Sequence, residues 1–499
     1  MSIIKKKFSQ ERIFTMKKSL RLITLLLVFA ISISAFASCN ENTEDDTKDQ
    51  GVTQGTEEID EFRPDVEKKN YGADFFLWVM PDSNPVDCYW VEESDGSAMS
   101  ESVYARQENI RKHLGVDITM TKASGFATYD VPFKTAIKNQ DDSVQLLVSH
   151  VSSGVPGFIS GNYLADFNSL EGVDLDADYW KQEFMDDLAI NGKYYLGNND
   201  YNILYTHCIA FNKTMMDQYA DNLDENMYEM VNNYHWTLDK MISLAHLVSS
   251  DATGDGKSVD DTYGLTGTQW VPFCGFLQAC DIKLIDLNDK GMYVVSCYTE
   301  TNSKKTDDLI TKLSDLAKSD YAWFKYRIED TPEIYLYTGR TLMELRSTVN
   351  LHSLCDYDDL SFGVVPYPMY DEAQKNVGYR SLQWGGYLCV PSYLNNPLMV
   401  GETIEMLAYF SDDVNVTYYE KLLGKQVADV PDDRKMLDII WDSICCDFGQ
   451  TFSSVGDILY MVPELTQVNA TQSLAKFIQS HTRSCNNNFK EYLKKLDKN

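Results

Sequence analysis

Between residues 73 and 120 the apolar pattern changes period twice, and this constrains the fold more than any other feature of the chain. Ala73 to Met80 (Ala-Asp-Phe-Phe-Leu-Trp-Val-Met) is a short aromatic and apolar run closed by Pro81, as expected of a buried strand. Val103, Ile110 and Leu114 then fall on one side of a helix that Ser100 or Ser102 caps and Gly115 ends. Val116, Ile118 and Met120 next alternate with Asp117 and Thr119, which is strand periodicity. Val144 to Val148 is a further buried strand candidate, running into the polar Ser149-His150-Val151-Ser152-Ser153-Gly154. Strands alternating with helices predict an α/β fold with mostly parallel sheets, and such sheets bind ligands at the carboxyl ends of their strands. Trp236 to Val248 behind Thr237, Pro397 to Phe410 and Met436 to Asp442 read as core-facing helices.

At 499 residues the chain is long enough for two lobes or more, and 44% hydrophobic with 24% charged residues describes a folded globular protein. Fibrous, disordered and disulfide-scaffold classes are excluded. A formal net charge of −31 repels phosphate backbones, so nucleic acid is excluded as a partner unless a basic patch offsets the field. There is no His-Glu-x-x-His pair, no phosphate-binding Gly-x-x-x-x-Gly-Lys loop and no Gly-x-Ser-x-Gly turn.

Met16-Lys17-Lys18-Ser19-Leu20-Arg21 followed by the apolar Leu22 to Ala37 has the build of an export signal, so residues 1–38 are assigned as signal peptide, with Met16 an alternative start. The run ends in Phe36-Ala37-Ser38-Cys39, which resembles a bacterial lipobox. Cys39 is the expected lipidation site, and two acyl chains on one residue suffice for stable attachment without a membrane-spanning helix. Residues 39–70, which include eleven acids from Glu41 to Glu67 and few apolar side chains, read as a flexible linker. The ten remaining cysteines show no Cys-x-x-Cys spacing and are expected to be mostly buried thiols.

Several segments together resemble the extracellular solute-binding proteins, family 1 type, that serve ABC importers, particularly the lipoprotein branch of anaerobic Gram-positive bacteria. They are Val103-Tyr104-Ala105-Arg106-Gln107-Glu108-Asn109-Ile110, Ile190-Asn191-Gly192-Lys193-Tyr194-Tyr195, Cys208-Ile209-Ala210-Phe211-Asn212-Lys213, Trp236-Thr237-Leu238-Asp239-Lys240, Phe362-Gly363-Val364-Val365-Pro366-Tyr367-Pro368, Trp384-Gly385-Gly386-Tyr387 and Met436-Leu437-Asp438-Ile439-Ile440. The resemblance implies a two-lobed periplasmic-binding-protein-like fold of type II, each lobe a mostly parallel sheet flanked by helices, with a hinge between the lobes. It places 71–203 plus about 386–440 in the first lobe and about 204–385 plus 441–495 in the second. The crossings are expected at Asn202 to His207 and near Gln383 to Tyr387.

The implied function is a non-enzymatic, lipid-anchored receptor outside the cytoplasmic membrane. It would act as a monomer, take a carbohydrate, expected to be an oligosaccharide, into the cleft and deliver it to permease subunits. Sugar sites combine aromatic faces with hydrogen-bonding groups. The candidates are Trp270, Trp384, Tyr205, Ser149, His150 and Ser152, with Glu344 and Arg346 as weaker members. A polyanionic ligand would require Arg106, Arg340, Arg346 or Arg380 in the cleft.

No cofactor is expected apart from a structural calcium, for which Asp251, Thr253, Asp255, Lys257 and Asp261 are the candidates in a loop that resembles those of EF-hands. Thr262 stands where that pattern has a bidentate acid, so an acidic surface turn is the competing reading. The competing functions are a surface glycoside hydrolase and a sensory or adhesive lipoprotein on the same fold.

Overall fold

The computed structural model describes residues 64–497 apart from 81–87, 124–129, 151–153, 203–204, 255, 327–335, 420–430 and 468. The signal peptide and Cys39 lie outside the described residues. Among those described, no helix is long and apolar enough to cross a membrane.

The described chain opens with β1 (Ala73–Val79), α1 (Ala98–Leu114), β2 (Val116–Lys122) and β3 (Leu146–Val148). β1 lies parallel to both β2 and β3, as the strand–helix–strand order requires. Ser97 caps α1 by accepting from the Ser100 amide, and Gly115 ends it at φ 63°, the left-handed conformation that a residue without Cβ adopts without strain. The helix α2 (Gln182–Leu188) follows.

A second sheet is built from β4 (His207–Asn212), β5 (Tyr263–Thr268), β6 (Ala322–Lys325), β7 (Thr341–Ser347) and β8 (Phe362–Val365), in the order β8-β4-β7-β5-β6. Between β4 and β5 runs α3 (Leu238–Val248), capped by Thr237, and between β5 and β6 runs α4 (Ser303–Lys318). β5 is parallel to β6 and β7, whereas β4 is antiparallel to both of its neighbours, so this sheet is mixed.

The chain then passes through β9 (Ser381–Leu382) and β10 (Leu388–Cys389), and β10 joins the first sheet antiparallel to β3. The remaining elements are α5 (Pro397–Tyr409), α6 (Pro431–Asp442), β11 (Ile444–Cys445), which pairs parallel with β9, and the long C-terminal α7 (Leu474–Leu496).

Side chains alternate along the strands between two apolar clusters. On β4, Ile209 and Phe211 enter one cluster with Leu147, Phe184 and Leu265, while Cys208 and Ala210 enter the other with Phe75, Leu77 and Ile110.

Two boundaries differ from those read in the sequence. Residues 64–70 were counted as linker on composition, yet they are fixed on the body. Val66 is buried and its carbonyl meets the His113 ring at 2.7 Å, while Lys69 Nζ and the Tyr71 hydroxyl donate to the two oxygens of Glu402 on α5. The second difference is α6, assigned to the first lobe with 386–440, which packs against β8 of the second sheet. Lys213 and Tyr228, from the second-sheet region, both hold Asp433 of α6.

Candidate functional site

The chain ends of the second sheet determine what surrounds Trp270. β5 stops at Thr268 and β6 at Lys325, and the Gln269 amide donates to the Lys325 carbonyl at 2.8 Å, so the residues after both strands emerge side by side. Trp270 lies there with one face stacked on Tyr460, ring centroids 4.0 Å apart at 21°, and with Tyr326 edge-on at 5.5 Å. Gln467 donates to the Tyr326 hydroxyl at 2.8 Å, and buried Gln269 donates to the Thr466 carbonyl at 3.2 Å. All three rings are half-buried. The result is an ordered aromatic shelf with hydroxyl and amide groups at its edge, which suits the C–H face and hydroxyl rim of a sugar.

The second grouping is the pair of crossings. Thr206 and Gln383 bridge antiparallel, and the Trp384 amide donates to the Tyr205 carbonyl at 2.9 Å. The Gln383 side chain donates to the Asn202 carbonyl at 2.6 Å and accepts from Asn198 at 2.7 Å, while Asn202 donates to the Gly386 carbonyl at 2.6 Å. Ser149 and Tyr387 exchange backbone hydrogen bonds at 2.9 and 3.2 Å. Gly386 is needed for this approach, because a Cβ there would sit 2.4 Å from the Ser149 carbonyl oxygen.

Trp384 is only 2% exposed and sits with His150 at 6.4 Å and His207 at 6.1 Å. Its ring is part of the core beneath the crossings and offers no open face. Ser149 is fully buried and His150 is 8% exposed, whereas Tyr205 is half-buried. Ser152 lies outside the described residues. His207, 3% exposed, has its Nδ1 shut off from solvent without a partner, and burial holds its pKa down at about 3.

Glu344 and Arg346 stand two residues apart on β7 and are joined at 3.0 Å. Glu344 also accepts from the Leu336 amide, and Arg346 donates to the Asn350 carbonyl and the Ser353 hydroxyl, so the pair ties β7 to its flanking turns. The other arginines that an anionic ligand would need are also engaged. Buried Arg106 donates to the Cys88 and Tyr89 carbonyls, Arg340 to the Asp260 carbonyl, and Arg380 lies 3.7 Å from Asp187 and 3.8 Å from Asp281.

A separate concavity of about 670 Å³ lies between α2 and α6, lined in part by Asp187, Tyr234, Lys283, Tyr379 and Arg380. Lys283 lies 2.9 Å from Asp187 there, and the concavity shares no residue with the aromatic shelf.

In the acidic loop, Asp251 accepts from the amides of Thr253, Gly254 and Gly256. Asp261 accepts from those of Ala252 and Ser258. Both carboxylates therefore close the turn on its own backbone, and Lys257 is exposed. Asp255 lies outside the described residues, and among the described residues no three acidic, His or Cys side chains gather as a metal site.

The ten cysteines after Cys39 are free thiols, nine of them buried. Burial pushes Cys389 and Cys445 up to about 12, the reverse of an activated nucleophile.

No family model matches the chain, and no curated protein matches it by sequence. Solved structures do. The cyclic α-maltosyl-1,6-maltose binding protein from Arthrobacter globiformis is similar at 14% identity and a TM-score of 0.54, over 84% of this chain and 99% of that one. The GacH receptor of Streptomyces glaucescens, solved unliganded and with acarbose and an acarbose homologue, is 15% identical at a TM-score of 0.51, over 85% and 98%. An ABC substrate-binding protein from Listeria monocytogenes in complex with cycloalternan is 12% identical at 0.50, over 85% and 98%. The fold is thus the two-lobed α/β fold that these solved structures share.

Proposed function

We propose that the protein is the extracellular solute-binding receptor of an ABC importer, tethered by lipid at Cys39, and that it binds a neutral oligosaccharide and passes it intact to permease subunits. The observation that carries this reading is the ordered shelf of Trp270, Tyr460 and Tyr326 at the carboxyl ends of β5 and β6, on a fold shared with structures solved with acarbose and with cycloalternan.

Neutral ligands are favoured because Arg106, Arg340, Arg346 and Arg380 are already engaged by groups of the protein itself. An anion would have to displace those groups in a chain of net charge −31. Closure of two lobes around the sugar would be the signal the permease reads, with the paired crossings at Tyr205 to His207 and Gln383 to Tyr387 as hinge.

The test is titration of the protein with linear and cyclic α-glucans and with β-linked oligosaccharides. At least one should raise the melting temperature and change tryptophan fluorescence, and the sugar should be recovered uncleaved. Release of reducing ends would assign the protein to the glycoside hydrolases instead.

A further inference from the structure

The C-terminal helix α7 carries a feature that sugar binding does not require. Its inner face, Leu474, Phe477, Ile478, Cys485, Phe489 and Tyr492, is buried. Lys476, Arg483, Lys490 and Lys494 are all exposed on the other side. Their spacing of 7, 7 and 4 residues confines them to an arc of about 40° on the helix and spreads them along about 27 Å. Lys494 pairs with Glu491 at 2.5 Å, while Lys476, Arg483 and Lys490 have no ion-pair partner among the described residues.

Acids near the helix lie off this row. Glu491 and Asp497 flank it, and Asp457 and Glu464 belong to the elements packed on the buried side, where they face Cys485 and His481. In a chain with 75 acidic residues, three neighbouring cations without a carboxylate partner are conspicuous. They add nothing to the solubility of a molecule already so highly charged.

We infer that the outer face of α7 docks on an anionic phospholipid surface. A straight row of cations on a rigid helix complements a plane of negative charge. The overall negative charge does not prevent this, because at physiological ionic strength only charges within about 8 Å of the surface are felt strongly. Such contact would hold the body against the membrane with a defined orientation, independently of what the cleft binds.

The experiment uses the chain from residue 39 with Cys39→Ser, so that no lipid contributes, and vesicles of 40% phosphatidylglycerol in phosphatidylcholine. At 50 mM salt the protein should partition onto these vesicles, stay off pure phosphatidylcholine, and be released by 0.5 M salt. Each of Lys476→Gln, Arg483→Gln and Lys490→Gln should weaken partitioning about fivefold, the equivalent of about 1 kcal/mol per charge. The triple variant should keep its melting temperature and its sugar affinity. Equal partitioning of the triple variant, or no dependence on phosphatidylglycerol, would overturn the inference. Capture by polyaspartate without vesicle binding would also overturn it, pointing to an acidic protein partner.

Discussion

Trp270 and Trp384 look alike in the sequence, each an aromatic residue beside a glycine-containing segment, and the fold uses them in opposite ways. Trp384 is 2% exposed beneath two backbone crossings stitched by Gln383, Asn202 and Asn198, so its ring holds the crossing together. Trp270 is half-buried on Tyr460 at the open ends of β5 and β6, where its ring is ordered but within reach of a ligand. The contrast shows that aromatic identity alone does not leave a ring open to a ligand. What distinguishes the two is whether the surrounding backbone closes over the ring.

The sharpest way to break that distinction is to truncate each ring. Trp384→Ala should cost about 3–5 kcal/mol of stability, the usual loss for a core tryptophan, measured by denaturant unfolding. A loss below about 1 kcal/mol would remove it from the core of the crossing.

Gly386→Ala should cost about 1–3 kcal/mol, because the added Cβ must push apart the Ser149 and Tyr387 backbones that exchange hydrogen bonds. A neutral outcome in the same unfolding assay would mean the two strands separate easily.

Trp270→Ala should leave stability within about 1.5 kcal/mol while weakening oligosaccharide affinity ten- to a hundredfold by calorimetry. Unchanged affinity would place the sugar elsewhere.

A further effect is one of pH. Burial holds His207 near 3 against 6.5 when unfolded, so its contribution to stability is intact above about pH 6.5 and is lost as pH falls towards 3, by at most about 1.4 kcal/mol per unit. Asp447, buried just after β11, is raised to about 6, which works the other way, because its contribution is present at low pH and is lost as pH rises from about 3.8 to 6. Between pH 4 and 6 the two largely cancel. His207→Gln should therefore become more stable relative to wild type as the pH is lowered through that window, and parallel stability curves would contradict it.

The sequence reading came closest where local periodicity decides. The expected strand over Ala73 to Met80 is β1, the helix stopped by Gly115 is α1, and the Thr237 cap starts α3 where expected. Each rests on a signal within one turn or one strand. The shelf was legible only in part. Tyr326 and Tyr460 lie 56 and 190 residues from Trp270 in sequence, and no local pattern brings them together, because their meeting depends on where β6 and the C-terminal segment pack. Glu344 and Arg346 are the weaker candidates for ligand contact, and their two-residue spacing on a strand puts them on one face, where they meet each other. Residues 64–70 show the same limit. A single salt-bridged Lys69 and a buried Val66 are enough to dock a stretch whose composition looks like linker.

The central claim is that an intact, uncharged sugar is held against Trp270 on this two-lobed scaffold. Calorimetric titration of wild type and Trp270→Ala with the oligosaccharide panel, followed by chromatography of the recovered sugar, tests it most directly. The account predicts saturable binding by wild type, a tenfold or greater loss in the variant, and full recovery of uncleaved sugar. Equal binding by the two proteins, cleavage of the sugar, or no binding of any oligosaccharide at millimolar concentration would contradict it.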